Sequence, residues 1–377
     1  MEYKIPLFEL NFDQAEEDAV IRTLRSKWIS TGPKTAEFEK KFAEMLGVKH
    51  ALALANCTAS LHVALLLIGI KPGDEIICPS LTFVATVNAI RYLHAKPVFA
   101  DIKSYENLTI DSEDIERKIS KKTKAIMLMH YGGFSCEMDK ILQIAEKNNL
   151  NIIEDACHGP LSEFDGKKLG TFGDFGCFSF FSNKNISTGE GGMLITNNTE
   201  LFERAKILRS HGMTSLSFVR GKGHSTDYDV IELGYNYRMD DLRASIGIVQ
   251  LDKLENDLKR RAEIRNYYVK QLSGIKDIGI PFMDHKFFSS NYIFPIVLRN
   301  SNVVKRNKVR EYLAANWIQT SVHYPAVHRF SIYSQFAVKL PKTEYVTDNL
   351  ITLPMFSKLS FENIDNIKSI VEQALKL

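Results

Sequence analysis

The stretch FSFFSNKNISTGEGG, residues 178–192, sets one lysine, Lys184, between an aromatic run and a glycine-rich turn. Burial disfavours a charged ammonium and lowers its pKa, and the neutral amine so produced is a nucleophile that condenses with an aldehyde. On that reading the pKa of Lys184 falls. Taken alone, the residue reads more readily as a surface lysine beside a turn. Gly189, Gly191 and Gly192 let the backbone turn tightly and pass close to a ligand before MLIT.

Two other places carry groups that would serve the same ligand. NIIE (151–154) precedes DACHGP, so Asp155 stands where a strand ends. A carboxylate there can pair with a ring nitrogen and keep it protonated, and His158 can reach the same ligand. The plain alternative is an aspartate capping a turn and a histidine in a satisfied hydrogen bond. ALALA (51–55) precedes NCTASLHVALLL, in which Leu61, Ala64, Leu65 and Ile68 mark a helix that Thr58 or Ser60 would cap. A helix start with small residues suits a phosphate, although a simple N-cap has the same pattern. A phosphate site, a post-strand carboxylate and a lysine about thirty residues later make up the partners that pyridoxal phosphate requires. Neither a P-loop nor a dinucleotide-binding G-x-G-x-x-G occurs.

These residues need a scaffold that brings strand ends together. From about residue 34 to 250, apolar runs alternate with helical patterns, which predicts an α/β domain with a largely parallel sheet. The strand candidates are ALALA, EIIC (75–78), PVFA (97–100), KAIMLM (124–129), NIIE and GMLIT (192–196). In such sheets ligands bind beyond the carboxyl ends of the strands. After residue 250 the texture changes: Leu251, Leu254, Leu258 and Ala262 stripe a charged helix leading to NYIFPIVL (291–298) and an amphipathic C-terminal helix. The expected division is a large domain over 1–250 and a smaller α+β domain over 251–377, with the segment 1–20 packing near the small one.

Composition narrows the classes of partner. Of 377 residues, 48 are basic and 45 acidic, and the remaining +3 is not gathered into an arm, which argues against nucleic-acid binding. The five cysteines form no C-x-x-C pair and have no histidine at metal-ligand spacing, so no metal site is expected and the thiols read as reduced, in a cytoplasmic protein. HVALLLIGI is too short to cross a bilayer, and the N-terminus lacks the apolar core of a signal peptide.

Over nearly its whole length the chain resembles the DegT/DnrJ/EryC1/StrS family of pyridoxal-phosphate-dependent nucleotide-sugar aminotransferases. The likeness rests on STGPKTAEFEKKFAEMLGVKHALALANCTASLHVAL, PSLTFVATVNAI, IIEDACHGP, GDFGCFSFFSNKNISTGEGG, LGYNYRMDDLRASIGIVQL, VHYPAVH and LPMF. It implies fold type I, the aspartate aminotransferase-like arrangement of a mostly parallel mixed sheet flanked by helices plus a small α+β domain. It also implies that Lys184 links to the cofactor and shuttles protons, and that Asp155 pairs with the pyridine nitrogen. His158 would lie near the phenolic oxygen and Phe83 on the ring face. Thr58, Ala59 and Ser179 would hold the phosphate, and Asn236 would reach that of a neighbouring subunit in a homodimer with shared active sites. Arg220, His224, His323 and Tyr324 are candidates for substrate contact. The implied reaction moves an amino group from L-glutamate, through pyridoxamine phosphate, to a nucleotide-linked keto-sugar, for aminosugar and cell-surface glycan (lipopolysaccharide O-antigen) biosynthesis. The favoured position is C4 of a 4-keto-6-deoxyhexose; C3 of a 3-keto-sugar, a cyclitol, or sugar dehydration are the alternatives. Relatives acting as dehydratases have histidine in place of the lysine, and this chain keeps Lys184. It departs from the commoner pattern in reading Asn56-Cys57-Thr58 where glycine or serine precedes the threonine.

Overall fold

The computed structural model describes residues 3–214 and 228–376. Its main sheet has seven strands: β1 (His50–Leu54), β2 (Glu75–Pro79), β3 (Lys96–Ala100), β4 (Thr123–Met129), β5 (Asn151–Asp155), β8 (Phe175–Ser179) and β9 (Gly192–Thr196). They lie in the order β1-β9-β8-β5-β4-β2-β3, and β6 (Glu163–Phe164) pairs with β7 (Lys167–Lys168) in a separate hairpin. Only β9 runs against the rest, pairing antiparallel with both β1 and β8.

Successive residues of a strand face opposite sides, and both sides of this sheet are covered. In β4, Ala125 and Met127 enter one core cluster while Ile126 and Leu128 enter another. The first is closed by α3 (Cys57–Leu67), α4 (Val84–Tyr92) and α7 (Thr199–Arg209), the second by α5 (Ser112–Lys118) and α6 (Met138–Asn148). A third cluster joins α2 (Pro33–Leu46) to the β8–β9 side, where Phe38 and Phe42 meet Phe180 and Phe178 edge-on at 5.1 and 5.0 Å. Fully burying each such ring is worth about 1.5–3 kcal/mol. The aromatic run FSFF is therefore what anchors the segment carrying Lys184.

A smaller antiparallel sheet comprises β10 (Ile278–Gly279), β11 (Phe294–Leu298) and β12 (Leu350–Leu353), in that order. It packs with α9 (Val303–Ala315), α10 (Pro341–Asn349) and α11 (Phe361–Ala374). The helix expected from residue 251 begins earlier: α8 spans Asp241–Leu272 without a break at 250. Its Ile248, Leu251, Leu254 and Leu258 sit in the third cluster, and its Ile264, Tyr268 and Leu272 in the core of the small sheet. One uninterrupted helix thus serves both cores. The N-terminal strand-like segment docks Ile5 beside Ile318, and α1 (Gln14–Arg25) continues with Glu16 bonded to α8. No helix among the described residues is long and apolar enough to cross a membrane.

Candidate active site

Lys184 sits in a loop closed at its base by Phe180 N–H to the Gly191 carbonyl and Thr188 N–H to the Phe180 carbonyl, both 2.9 Å. Gly189 turns this loop with φ +80°, a conformation glycine adopts without strain. The Lys184 Nζ lies 4.3 Å from the centroid of Tyr292, a cation–π distance, and 3.9 Å from Cys157 Sγ. Burial pulls its pKa down, but contact with Cys157 and Tyr292 and the charge of Asp155 pull it up by more, so the net displacement is upward. The expected fall does not occur, because the polar neighbours outweigh desolvation. Burial, reinforced by Asp155, in turn pushes the Cys157 thiol well above its ordinary value and keeps it protonated.

Asp155 closes β5 and is buried. Its Oδ2 accepts from Thr86 Oγ1 at 2.8 Å and its Oδ1 from the Cys157 amide at 3.2 Å. Thr86 is itself 2.8 Å from Thr82 Oγ1. This hydroxyl chain holds the carboxylate in one orientation on the floor of the site.

His158 lies behind the site wall. Its Nδ1 accepts from the Gly132 amide at 3.2 Å, so in the neutral ring the proton is on Nε2, which donates to Tyr324 Oη at 2.9 Å. Burial, and next the charge of Lys184, push its pKa well below the ordinary histidine value. The ring also stacks on Tyr292 at 4.3 Å. Its direct reach is to Tyr324, which does face the cavity, and the expected contact with a ligand is passed outward by one residue.

The start of α3 is capped differently from the expectation. Asn56, not Thr58 or Ser60, is the N-cap, its Oδ1 accepting from the Ala59 amide at 2.9 Å. That amide is therefore engaged within the protein, and Ala59 is not among the cavity residues, whereas Thr58 is. Opposite lies Ser179 at the end of β8. A Cβ on Gly192 would stand 2.3 Å from the Asn56 carbonyl carbon, so only glycine lets β9 pass directly beneath the helix start.

Together, Thr58, Phe83, Asp155, Ser179, Lys184, His323 and Tyr324 line one cavity of about 500 Å³. Asn236 is exposed and elsewhere on the chain, and Arg220 and His224 lie outside the described residues. The sequence reading missed Tyr292, Asn183, Cys57 and Cys157 as cavity residues, and Thr86 as the partner of Asp155. Only Thr86 carried a local signal, in the polar TFVAT run following β2. Tyr292 comes from the other core and has no mark in the sequence.

These residues fit pyridoxal phosphate. The cavity offers the half-buried amine of Lys184, a fixed carboxylate, and an aromatic ring, Phe83, that is 53% exposed. Asn183 Oδ1 is buried on the same wall without a hydrogen-bond partner among the described residues, as a group reserved for a polar ligand would be.

The model of the DegT/DnrJ/EryC1/StrS aminotransferase family matches residues 11–372. GDP-perosamine synthase of Escherichia coli O157:H7 is 39% identical over 361 residues, covering 96% of this chain and 95% of that protein. Among solved structures, Helicobacter pylori PseC, an aminotransferase of pseudaminic acid biosynthesis, superposes with a TM-score of 0.92 at 30% identity, covering 100% of both chains. The putative sugar aminotransferase Spr1654 of Streptococcus pneumoniae, in its PLP form, superposes with a TM-score of 0.91 at 29% identity over 100% of this chain and 99% of its own.

Proposed function

The chain belongs to the DegT/DnrJ/EryC1/StrS aminotransferase family, and from that premise we propose that it carries an amino group from L-glutamate to C4 of a nucleoside-diphosphate-linked 4-keto-6-deoxyhexose. It is a pyridoxal-phosphate-dependent sugar aminotransferase. The observation that carries the proposal is Lys184 Nζ, held over Tyr292 and facing a cavity whose floor is the oriented Asp155.

When bound, pyridoxal phosphate supplies an aldehyde for amine exchange and a ring that withdraws electrons from the substrate carbon. Asp155, locked by Thr86 and the Cys157 amide, would hold the ring nitrogen. Phe83 would cover one ring face, and Thr58 and Ser179 would take the phosphate. With the cofactor bound, Lys184 Nζ as the neutral amine would take the α-proton of glutamate in the first half-reaction and, as the ammonium so formed, return a proton to the sugar carbon in the second. One amine serving as base and acid needs a position that Tyr292 and Cys157 maintain between the two.

A homodimer with shared sites belongs to the same proposal. Asn236 is exposed, and beside it stand exposed Val230, Ile231 and Leu233, the last 84% exposed. Such an apolar strip favours burial against a second copy, which would carry Asn236 to the neighbour's phosphate.

The test is spectroscopic and chemical. The purified holoenzyme shows a visible band that shifts with glutamate, and borohydride followed by peptide mapping labels Lys184. A label on another lysine removes the assignment. Incubation with 4-keto and 3-keto sugar nucleotides, followed by NMR of the product, decides the carbon: amination at C3 alone overturns the C4 proposal.

A further inference from the structure

The loop of Lys184 and the backbone of Tyr292 are tied to one largely buried polar chain that passes through half-buried Asn11 of the N-terminal segment. Gln250, on α8 and 3% exposed, accepts the Ser187 amide on Oε1 at 3.4 Å. Its Nε2 donates to Glu16 Oε1 at 2.7 Å and to Asn11 Oδ1 at 2.8 Å. Asn11 Nδ2 then donates to Asp257 Oδ1 at 3.0 Å, and Asp257 Oδ2 accepts from Arg261 Nε at 2.8 Å. Arg261 Nη1 reaches the carbonyls of Met355, at 3.2 Å, and of Tyr292, at 3.5 Å. The chain thus runs from three residues beyond Lys184 to the residue whose ring lies beneath its ammonium.

Every member is fixed by its chemistry. The Asn11 carbonyl faces a donor and its amide a carboxylate, so the side chain cannot be flipped without leaving both unpaired. Buried networks of this kind are rigid when complete and poor when one member is wrong. Asn11 occupies the middle: it is the one contact through which the Ser187 arm and the Tyr292 arm are joined in this chain of bonds.

We propose that Asn11 is a positioning residue for Lys184, coupling its loop to the Tyr292 ring through Gln250 on one side and Asp257 on the other. The amino-terminal segment thereby belongs to the catalytic apparatus although no atom of it lines the cavity. The proposal rests on Lys184 being the reactive lysine.

The test is a charge swap. Asn11→Asp opposes two carboxylates and Asp257→Asn leaves an amide or the guanidinium without an acceptor, whereas the double variant re-forms the bond between positions 11 and 257 with donor and acceptor exchanged and keeps an acceptor for Arg261. In the cofactor-free protein each single variant is expected to speed deuterium exchange of the peptide holding the Ser187 amide by about tenfold, as a local opening does, and the double variant to restore it. In the holoenzyme the singles lower kcat with little change in KM, and the double recovers it. Single variants that lose thermal stability but keep wild-type exchange and kcat overturn the proposal. So does a double variant that regains stability without regaining kcat. Borohydride labelling of the unaltered enzyme separates the premise: a label away from Lys184 removes both the lysine assignment and this role, while a label on Lys184 leaves the exchange data to judge the brace alone.

Discussion

Thr86 donates its hydroxyl to Oδ2 of Asp155 over 2.8 Å, although 69 residues separate them, and this bond sets which way the carboxylate presents its other oxygen. Thr86→Val keeps the shape and removes the donor. Hydrogen bonds to charged groups contribute about 1.5–3 kcal/mol, so urea unfolding should register a loss of that order. Turnover should fall as well. A variant with unchanged stability and unchanged kcat would show that Thr86 does not hold Asp155.

Asn56 supplies the side-chain cap of α3. Asn56→Ala should cost about 1 kcal/mol of stability, the usual effect of losing such a cap. It should also weaken retention of the cofactor phosphate, because the first turn frays beside Thr58. Asn56→Ser, which keeps an acceptor, should restore most of both; equilibrium dialysis of the cofactor and a thermal melt read the two effects.

Stability should fall as the solution is acidified below neutrality. Burial pushes His158 well below its ordinary pKa and His323 down to about 3. Their folded pKa values are depressed, so above pH 6.5 neither state takes the proton and nothing is lost. As pH drops below 6.5 the unfolded chain binds protons that the folded chain refuses, and each histidine removes about 1.4 kcal/mol per pH unit. Denaturant titrations at pH 7, 6 and 5 should show the decline beginning below the unfolded histidine value. His323→Gln should flatten it.

All five cysteines are free and buried. Burial raises the thiols of Cys57, Cys78, Cys157 and Cys177 above the ordinary value, and a protonated thiol reacts slowly. A disulfide reagent at neutral pH should therefore modify less than one thiol in the native protein and all five after unfolding in guanidinium. Rapid native labelling of Cys157 would mean that the cavity opens more freely than its packing indicates.

The alternation of apolar runs with helical stripes carried the α/β sheet, because hydrophobic period is a property of neighbouring residues. For the same reason the residues just after ALALA and NIIE stood out: strand ends of a parallel sheet share one edge, and Thr58 and Asp155 both reach one cavity, where Ser179, marked by the family resemblance, joins them. Those are local facts, legible without coordinates. What tertiary packing alone decided is which partners complete each group. Asn56 took the cap from Thr58 and Ser60, and His158 turned to Gly132 and Tyr324, because those partners stand closer in space than the chain order suggests. The charge state of Lys184 was decided in the same way. Burial by itself lowers a lysine pKa, but contact with Cys157 and Tyr292 and the charge of Asp155, brought together from two different cores, reverse the sign. A sequence shows residue types and their spacing along one dimension; the field at a side chain is a sum over distances in three.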